Sequence, residues 1–148
     1  MVNLQIRQVQ KEDYADICAL INSELGYPDV KLDELALRME IMSQDKNYTT
    51  FVALLDNKIV GFIGTVRCIA FEVSSECMRI IALAVSNKNR NKGIGSSLLK
   101  HAEDFAFLKG ITVFALNSGM QRLDAHMFYE RNGYNKKSYG FVKEIEGL

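Results

Sequence analysis

RIIALAVSNKNRNKGIGSSLL, residues 79–99, decides how this chain is read. The run opens inside a strand expected from Cys77 to Val85, whose apolar end, Ile80 to Val85, predicts burial on both faces. A polar loop follows, and then Ile94, Leu98, Ala102 and Phe105 fall at helical spacing, predicting a helix over 93–109 that Gly110 ends. Helix N-termini carry unpaired N–H groups and the positive end of the helix dipole, so a glycine-flanked start suits a diphosphate. Gly93 and Gly95 lack the Cβ atoms that would block close approach of such a group. Lys88, Arg90 and Lys92 add three cations within five residues. A phosphorylated cofactor is the ligand this arrangement asks for.

Spacing narrows the choice. A dinucleotide fingerprint needs a third glycine three residues after Gly95, where this chain has Leu98, and it begins directly after its strand without a polar loop. A triphosphate-binding loop needs Gly-Lys followed by Ser or Thr, whereas Gly95 is followed by Ser96 and Ser97. What stands is R-x-x-G-x-G at Arg90, Gly93 and Gly95.

Working outward, NLQIRQVQ (3–10) alternates as a strand, and Tyr14, Ile17, Ile21 and Leu25 then recur as a helix that Gly26 and Pro28 break. Leu32, Leu35, Ala36 and Met39 mark a second amphipathic helix ending near Ser43. TTFVALL (49–55) and KIVGFIGTVRCIAF (58–71) are strands joined through Asp56 and Asn57, residues that tolerate the positive φ of a tight hairpin. Gly61 and Gly64 inside the second strand predict a bulge or a close backbone approach. Beyond the central helix, 111–116 is expected as a buried strand, 122–131 as a helix, and 134–145 as a final strand pair. The order βααβββαβαββ contains no repeat and calls for an α/β fold, a mixed sheet with helices on both faces.

A length of 148 residues allows one domain, 1–148, and 48% hydrophobic against 24% charged residues is the balance of a packed globule. Eighteen basic residues against eighteen acidic ones leave no net charge, so no overall field gathers nucleic acid or anionic membrane, and a charged ligand must meet a local cluster. The longest strongly apolar run is far short of a membrane span and the N-terminus has no apolar signal core, so the cytoplasm is the expected location. Cys18, Cys68 and Cys77 lack CxxC spacing and fit reduced thiols better than a disulfide frame. With two histidines and no paired Cys/His spacing, no metal site is expected.

The strand LAV, the turn R-x-x-G-x-G, the strand ending in Asn117 and the block AHMFYERNGY (125–134) stand in one order, and in that order the chain resembles the GNAT superfamily of acyl-CoA-dependent N-acetyltransferases. The resemblance covers essentially the whole chain, strongly from Cys77 onward and by element order before it. It implies a mostly antiparallel central sheet and acetyl-CoA as co-substrate. It also implies that backbone amides of Arg90, Asn91, Lys92, Gly93, Ile94 and Gly95 hold the diphosphate, with Ser96 adding a hydroxyl. Leu83, Ala84 and Val85 are then placed to pair with the pantetheine amides as an added strand would, and Asn117 to contact the same arm. Tyr129 falls where many members place the phenol that protonates the departing thiolate. A homodimer is a further implication.

Plainer readings exist for several of these residues. Tyr129 beside Phe128 on an amphipathic helix could be a packing residue, Asn117 could cap a turn, and a single helical histidine such as His126 is usually structural. One departure bears on mechanism. Many members carry a glutamate on the strand before the diphosphate loop, and this chain reads Arg79, Ile80, Ile81 and Ala82 there. Glu72 and Glu76 lie upstream and could act through water, yet a main-chain carbonyl and ordered water could serve as well, so no base is assigned. The tail RLDAHMFYERNGYNKKSYGFVKEI (122–145) is similar to aminoalkylphosphonate and other small-amine members, which implies a small primary amine as acceptor. The competing expectation is an acyl-CoA-binding sensor or interaction domain that has lost turnover.

Overall fold

A computed structural model describes residues 3–146 of the chain. Its order is β1 (Leu4–Gln8), α1 (Tyr14–Glu24), α2 (Leu32–Ser43), β2 (Tyr48–Leu55), β3 (Lys58–Cys68), β4 (Cys77–Val85), α3 (Ile94–Phe107), β5 (Val113–Leu116) and α4 (Leu123–Arg131). Short 3-10 turns at Lys11–Asp13 and Asn87–Asn89 complete the list. By compactness the chain divides into two units, Met1–Leu116 and Asn117–Leu148.

The first unit carries one five-stranded sheet in the order β1-β2-β3-β4-β5, antiparallel except for the parallel β4–β5 pair. Alternation along the strands divides its core between two faces. Val52, Leu54, Phe62 and Ala84 pack with Tyr14, Ile17, Cys18 and Leu20 of α1 and with Leu35 and Met39 of α2. On the opposite face Phe51 meets α3, its ring edge-on to His101 at 4.6 Å and to Phe105 at 5.3 Å between centroids. Helices therefore cover both faces, as the element order requires. Ile94, Leu98, Leu99, Ala102 and Ala106 form the buried stripe of α3, so truncating Leu98 to Ala should cost about 2 to 5 kcal/mol through the cavity left.

Turn chemistry sets the register. Asp56 and Asn57 both adopt positive φ, +50° and +67°, the conformation that a two-residue hairpin matched to strand twist needs. Both interior glycines of β3 mark irregularities. Ala53 pairs with Gly61 and Leu54 with Ile59, leaving Val60 as the extra residue. A Cβ on Gly61 would lie 2.9 Å from the Ala84 carbonyl oxygen and 3.2 Å from Leu98 Cδ1, so only glycine lets β3, β4 and α3 come this close. Gly64 pairs with Ala82 and Thr65 with Ile80, so the second bulge falls on β4 at Ile81.

Four sequence expectations are corrected. The strand pair expected over 134–145 does not form: residues 135–146 carry no strand and are all exposed, because apolar alternation at Tyr139 and Phe141 makes a strand only where a neighbour supplies its ladder. The order among the described residues is βααβββαβα. The strand expected over 111–116 begins only at Val113, because the Ile111 N–H is already engaged by the Ala106 carbonyl in closing α3. The strand expected over 58–71 stops at Cys68, and Ile69 and Phe71 stand exposed beyond it. Finally, β4 is not buried on both faces throughout, since the bulge turns Ile81 out to 47% exposure.

Candidate active site

That bulge is where the site begins. The parallel ladder between β4 and β5 runs from Cys77 opposite Val113 to Ile80 opposite Leu116, and β5 ends there. Among the described residues, β4 from Ala82 to Val85 pairs with β3 alone. Its other edge offers backbone donors and acceptors that an extended amide chain can match. Ala84 points its methyl into the core against α1 and α2, so of Leu83, Ala84 and Val85 the middle residue can contribute only backbone, while its neighbours are half-buried.

After β4 the chain is held to the sheet by the Ser86 N–H on the Val60 carbonyl at 2.7 Å, and then turns through Asn87–Asn89. Arg90 is extended, Asn91 takes φ +63° and Gly93 takes φ +77°, a left-handed pair that curls the backbone around the start of α3. Gly93 is the N-cap, and no side chain caps this end. Its carbonyl accepts from the Ser97 N–H at 3.0 Å, which leaves Ile94, Gly95 and Ser96 as the amides that begin the helix without an intrahelical acceptor. A Cβ built on Gly93 meets no atom within 4 Å, so the surface in front of this turn is open. An uncapped N-terminus of a 14-residue helix facing open space fits an anionic diphosphate.

The basic residues of the turn behave differently from one another. Arg90 donates to Glu24 at 2.8 Å, an ion pair 66 residues apart in sequence that ties the turn to the last residue of α1. Lys92 donates to the Asn89 side-chain oxygen at 3.2 Å, and Lys88 is exposed. Sequence reasoning missed Glu24, which carries no local motif. Its glutamate identity becomes informative only once the fold brings α1 beside the turn.

The other expected residues lie in the second unit. Asn117 is exposed, immediately after β5. Tyr129 is half-buried on α4, with its ring edge-on to Phe128 at 5.2 Å and to Tyr134 at 6.0 Å. Burial pushes its phenol above the ordinary value, and the positive charge of Arg122 offsets only part of this. His126 Nε2 lies 2.8 Å from the Gly119 carbonyl oxygen, a structural contact within its own segment.

The sequence profile of the Acetyltransferase (GNAT) family matches residues 11–134. The chain belongs to the GNAT family. It is 31% identical over 145 residues to an aminoalkylphosphonate N-acetyltransferase of Salmonella typhimurium, covering 95% of this chain and 91% of that protein. Among solved structures, a transcriptional regulator from Bacillus halodurans superposes with a TM-score of 0.89 at 23% identity, covering 97% of this chain and 100% of that one. The aminoglycoside N-acetyltransferase AAC(6')-Iy in complex with CoA superposes at 0.86 and 16% identity, covering 99% of this chain and 97% of the other. Family and relatives together make this GNAT chain an acetyl-CoA-dependent N-acetyltransferase acting on amines, with acetyl-CoA as co-substrate.

Where the GNAT family often has its strand glutamate, this member has the bulge itself, with Ile80 inward and Ile81 outward. Glu76 does not stand in readily. Its two carboxylate oxygens accept from Arg67 Nη2 at 2.7 Å and Nε at 3.2 Å, a fork that closes the far end of the β3–β4 hairpin. Glu72 is exposed in the connection between those strands. Among the described residues no group of three or more His, Cys, Asp or Glu side chains could hold a metal ion, and no helix is long and apolar enough to cross a membrane.

Proposed function

We propose that this chain acetylates the primary amine of a small molecule by direct attack, with acetyl-CoA and acceptor bound together. The observation that carries the reading is the parting of β4 from β5 at Ile81, which frees a backbone edge leading straight into the uncapped start of α3. The amides of Arg90, Asn91, Lys92, Gly93, Ile94, Gly95 and Ser96 hold the diphosphate. The free edge at Leu83, Ala84 and Val85 aligns the pantetheine arm, and Asn117 contacts that arm. Acetyl-CoA supplies the activated acyl group as a thioester. Tyr129 donates its proton to the departing thiolate, a role supported by a half-buried phenol that burial keeps protonated. The amine gives up its proton to solvent rather than to a carboxylate, since Glu76 is engaged by Arg67.

The similarity to an aminoalkylphosphonate N-acetyltransferase supports a small amine over a protein tail as acceptor. Aminoglycoside-acetylating neighbours of the same fold point the same way. A cytoplasmic location and a homodimer complete the proposal. The test is a library of small amines, aminoalkylphosphonates and aminoglycosides among them, incubated with acetyl-CoA while free thiol is followed. Acceptor-dependent thiol release identifies the substrate class. Tight acetyl-CoA binding without release for any acceptor would instead support a silent acyl-CoA sensor, the reading favoured by the absent strand glutamate.

A further inference from the structure

Cys68 ends β3, Cys77 begins β4, and the two are partners in the strand register. Their sulfurs lie 3.0 Å apart, and each sulfur also approaches the other residue's carbonyl oxygen, at 3.6 and 3.5 Å. The Arg67 N–H is given to the Asn47 carbonyl on the β2 side, so the next residue, Cys68, turns its backbone toward β4. Opposed residues of that kind hold their Cα atoms about 5.5 Å apart. That separation lies inside the roughly 4.4 to 6.8 Å that a disulfide spans. Beside the pair, the Arg67–Glu76 fork fixes the same hairpin end. The thiols are therefore brought together by a structure that exists without a bond between them.

We propose that Cys68 and Cys77 are a modification site, a dithiol that closes reversibly to a cross-strand disulfide when the protein meets a small-molecule disulfide such as oxidised glutathione. Cys68, half-buried where Cys77 is buried, is the sulfur within reach of a reagent. Its thiolate attacks the reagent and releases one thiol. Cys77 then displaces the second, so two protein thiols are oxidised while one small disulfide is reduced to two thiols. The attack is slow at neutral pH, because the hydrogen bond to Cys77, then burial, push the Cys68 thiol up to about 11. The bridge closes only the short connection 69–76, at the end of β4 away from the diphosphate turn. It should therefore stabilise the fold and leave cofactor binding alone.

The experiment equilibrates the whole protein with oxidised glutathione at pH 8.5 and counts thiols in denaturant, with intact mass and thermal midpoint read on the same samples. Three free thiols should fall to one with a loss of two hydrogens. The midpoint should rise by about 5 to 10 °C, as expected for a loop of this length in a chain of this size. Acetyl-CoA affinity should stay within twofold, and dithiothreitol should reverse every change. Cys68→Ser should keep both remaining thiols and show no shift, whereas Cys18→Ser should still close. Persistence of three thiols at equilibrium would overturn the proposal. So would stable glutathione adducts in place of the bridge, or the same mass loss in Cys68→Ser.

Discussion

Replacing Gly93 by Ala tests whether the diphosphate turn works through its backbone. The residue has φ +77°, where an L-residue is strained by about 1 to 2 kcal/mol, and its added Cβ would meet nothing within 4 Å. The penalty is thus conformational and not steric. It is partly offset by the smaller entropy of the unfolded variant chain, about 0.4 to 1 kcal/mol. A net loss near 1 kcal/mol follows, or about 2 to 4 °C in thermal midpoint for a chain of this length. Binding should suffer more than folding. If the substituted alanine relaxes out of the left-handed region in the free protein, acetyl-CoA must restore the turn, weakening affinity by about 5- to 30-fold at 1 to 2 kcal/mol. Asn tolerates positive φ, as Asn91 does two residues earlier at +63°, so Gly93→Asn should recover most of both losses. Denaturant titration and calorimetry with acetyl-CoA measure the two quantities. Unchanged affinity in Gly93→Ala, or equal damage in the Ala and Asn variants, would refute the backbone argument.

Three further outcomes are expected. Tyr129→Phe should lower turnover about ten- to a thousandfold while acetyl-CoA affinity holds, and because burial raises the phenol, the parent's rate should not fall below about pH 10 through loss of this proton; steady-state rates against pH check both. Glu76→Gln should leave turnover nearly unchanged, with the rate rising from pH 7 to 9 as the neutral amine accumulates; a plateau above pH 6 to 7 that the variant abolishes would make Glu76 the base. Asp13→Asn should cost about 1 to 2 kcal/mol at pH 7 by urea titration, and the difference should shrink as pH falls below the ordinary carboxylate range. Burial works against the Asp13 charge, yet the Arg7 fork at 2.7 and 3.1 Å and the Gln10 N–H hold the carboxyl below its usual range, so its contribution is present above about pH 4 and lost as pH falls through the folded value.

What the sequence made legible was local. Asp56 and Asn57 announced their hairpin because two adjacent positive φ values have few acceptable residues, and Gly61 announced a close approach because a Cβ there would strike Ala84. The diphosphate turn was readable for the same reason at Gly93. The β4 bulge was readable only indirectly: the signal was Gly64 on β3, while the extra residue, Ile81, looks like any other strand isoleucine. The tail failed the other way, since the alternation at Tyr139 and Phe141 is a strand pattern without a strand, and periodicity says nothing about the neighbour that must supply a ladder. Glu76 was visible as a carboxylate, but its pairing with Arg67 and that of Glu24 with Arg90 were silent, because an ion pair between separate elements has no signature in one sequence.

The Glu24 contact alters how the turn must attract its ligand. A carboxylate on the last residue of α1 stands at the negative end of that helix dipole, an unfavourable position that the Arg90 guanidinium at 2.8 Å relieves. Arg90 is thereby partly neutralised before any anion arrives, and its value to the turn lies in fixing the backbone from Ser86 to Gly93 against α1. Positive potential in front of α3 then comes from the helix N-terminus, with Lys88 and Lys92 as exposed, solvent-screened charges beside it, the latter donating to Asn89. A site built this way depends on amide directions more than on side-chain charge. Removing Arg90 should loosen the turn, whereas a bulky acidic side chain at Gly93 should close it, because the first disturbs the support and the second fills the surface where the ligand would lie.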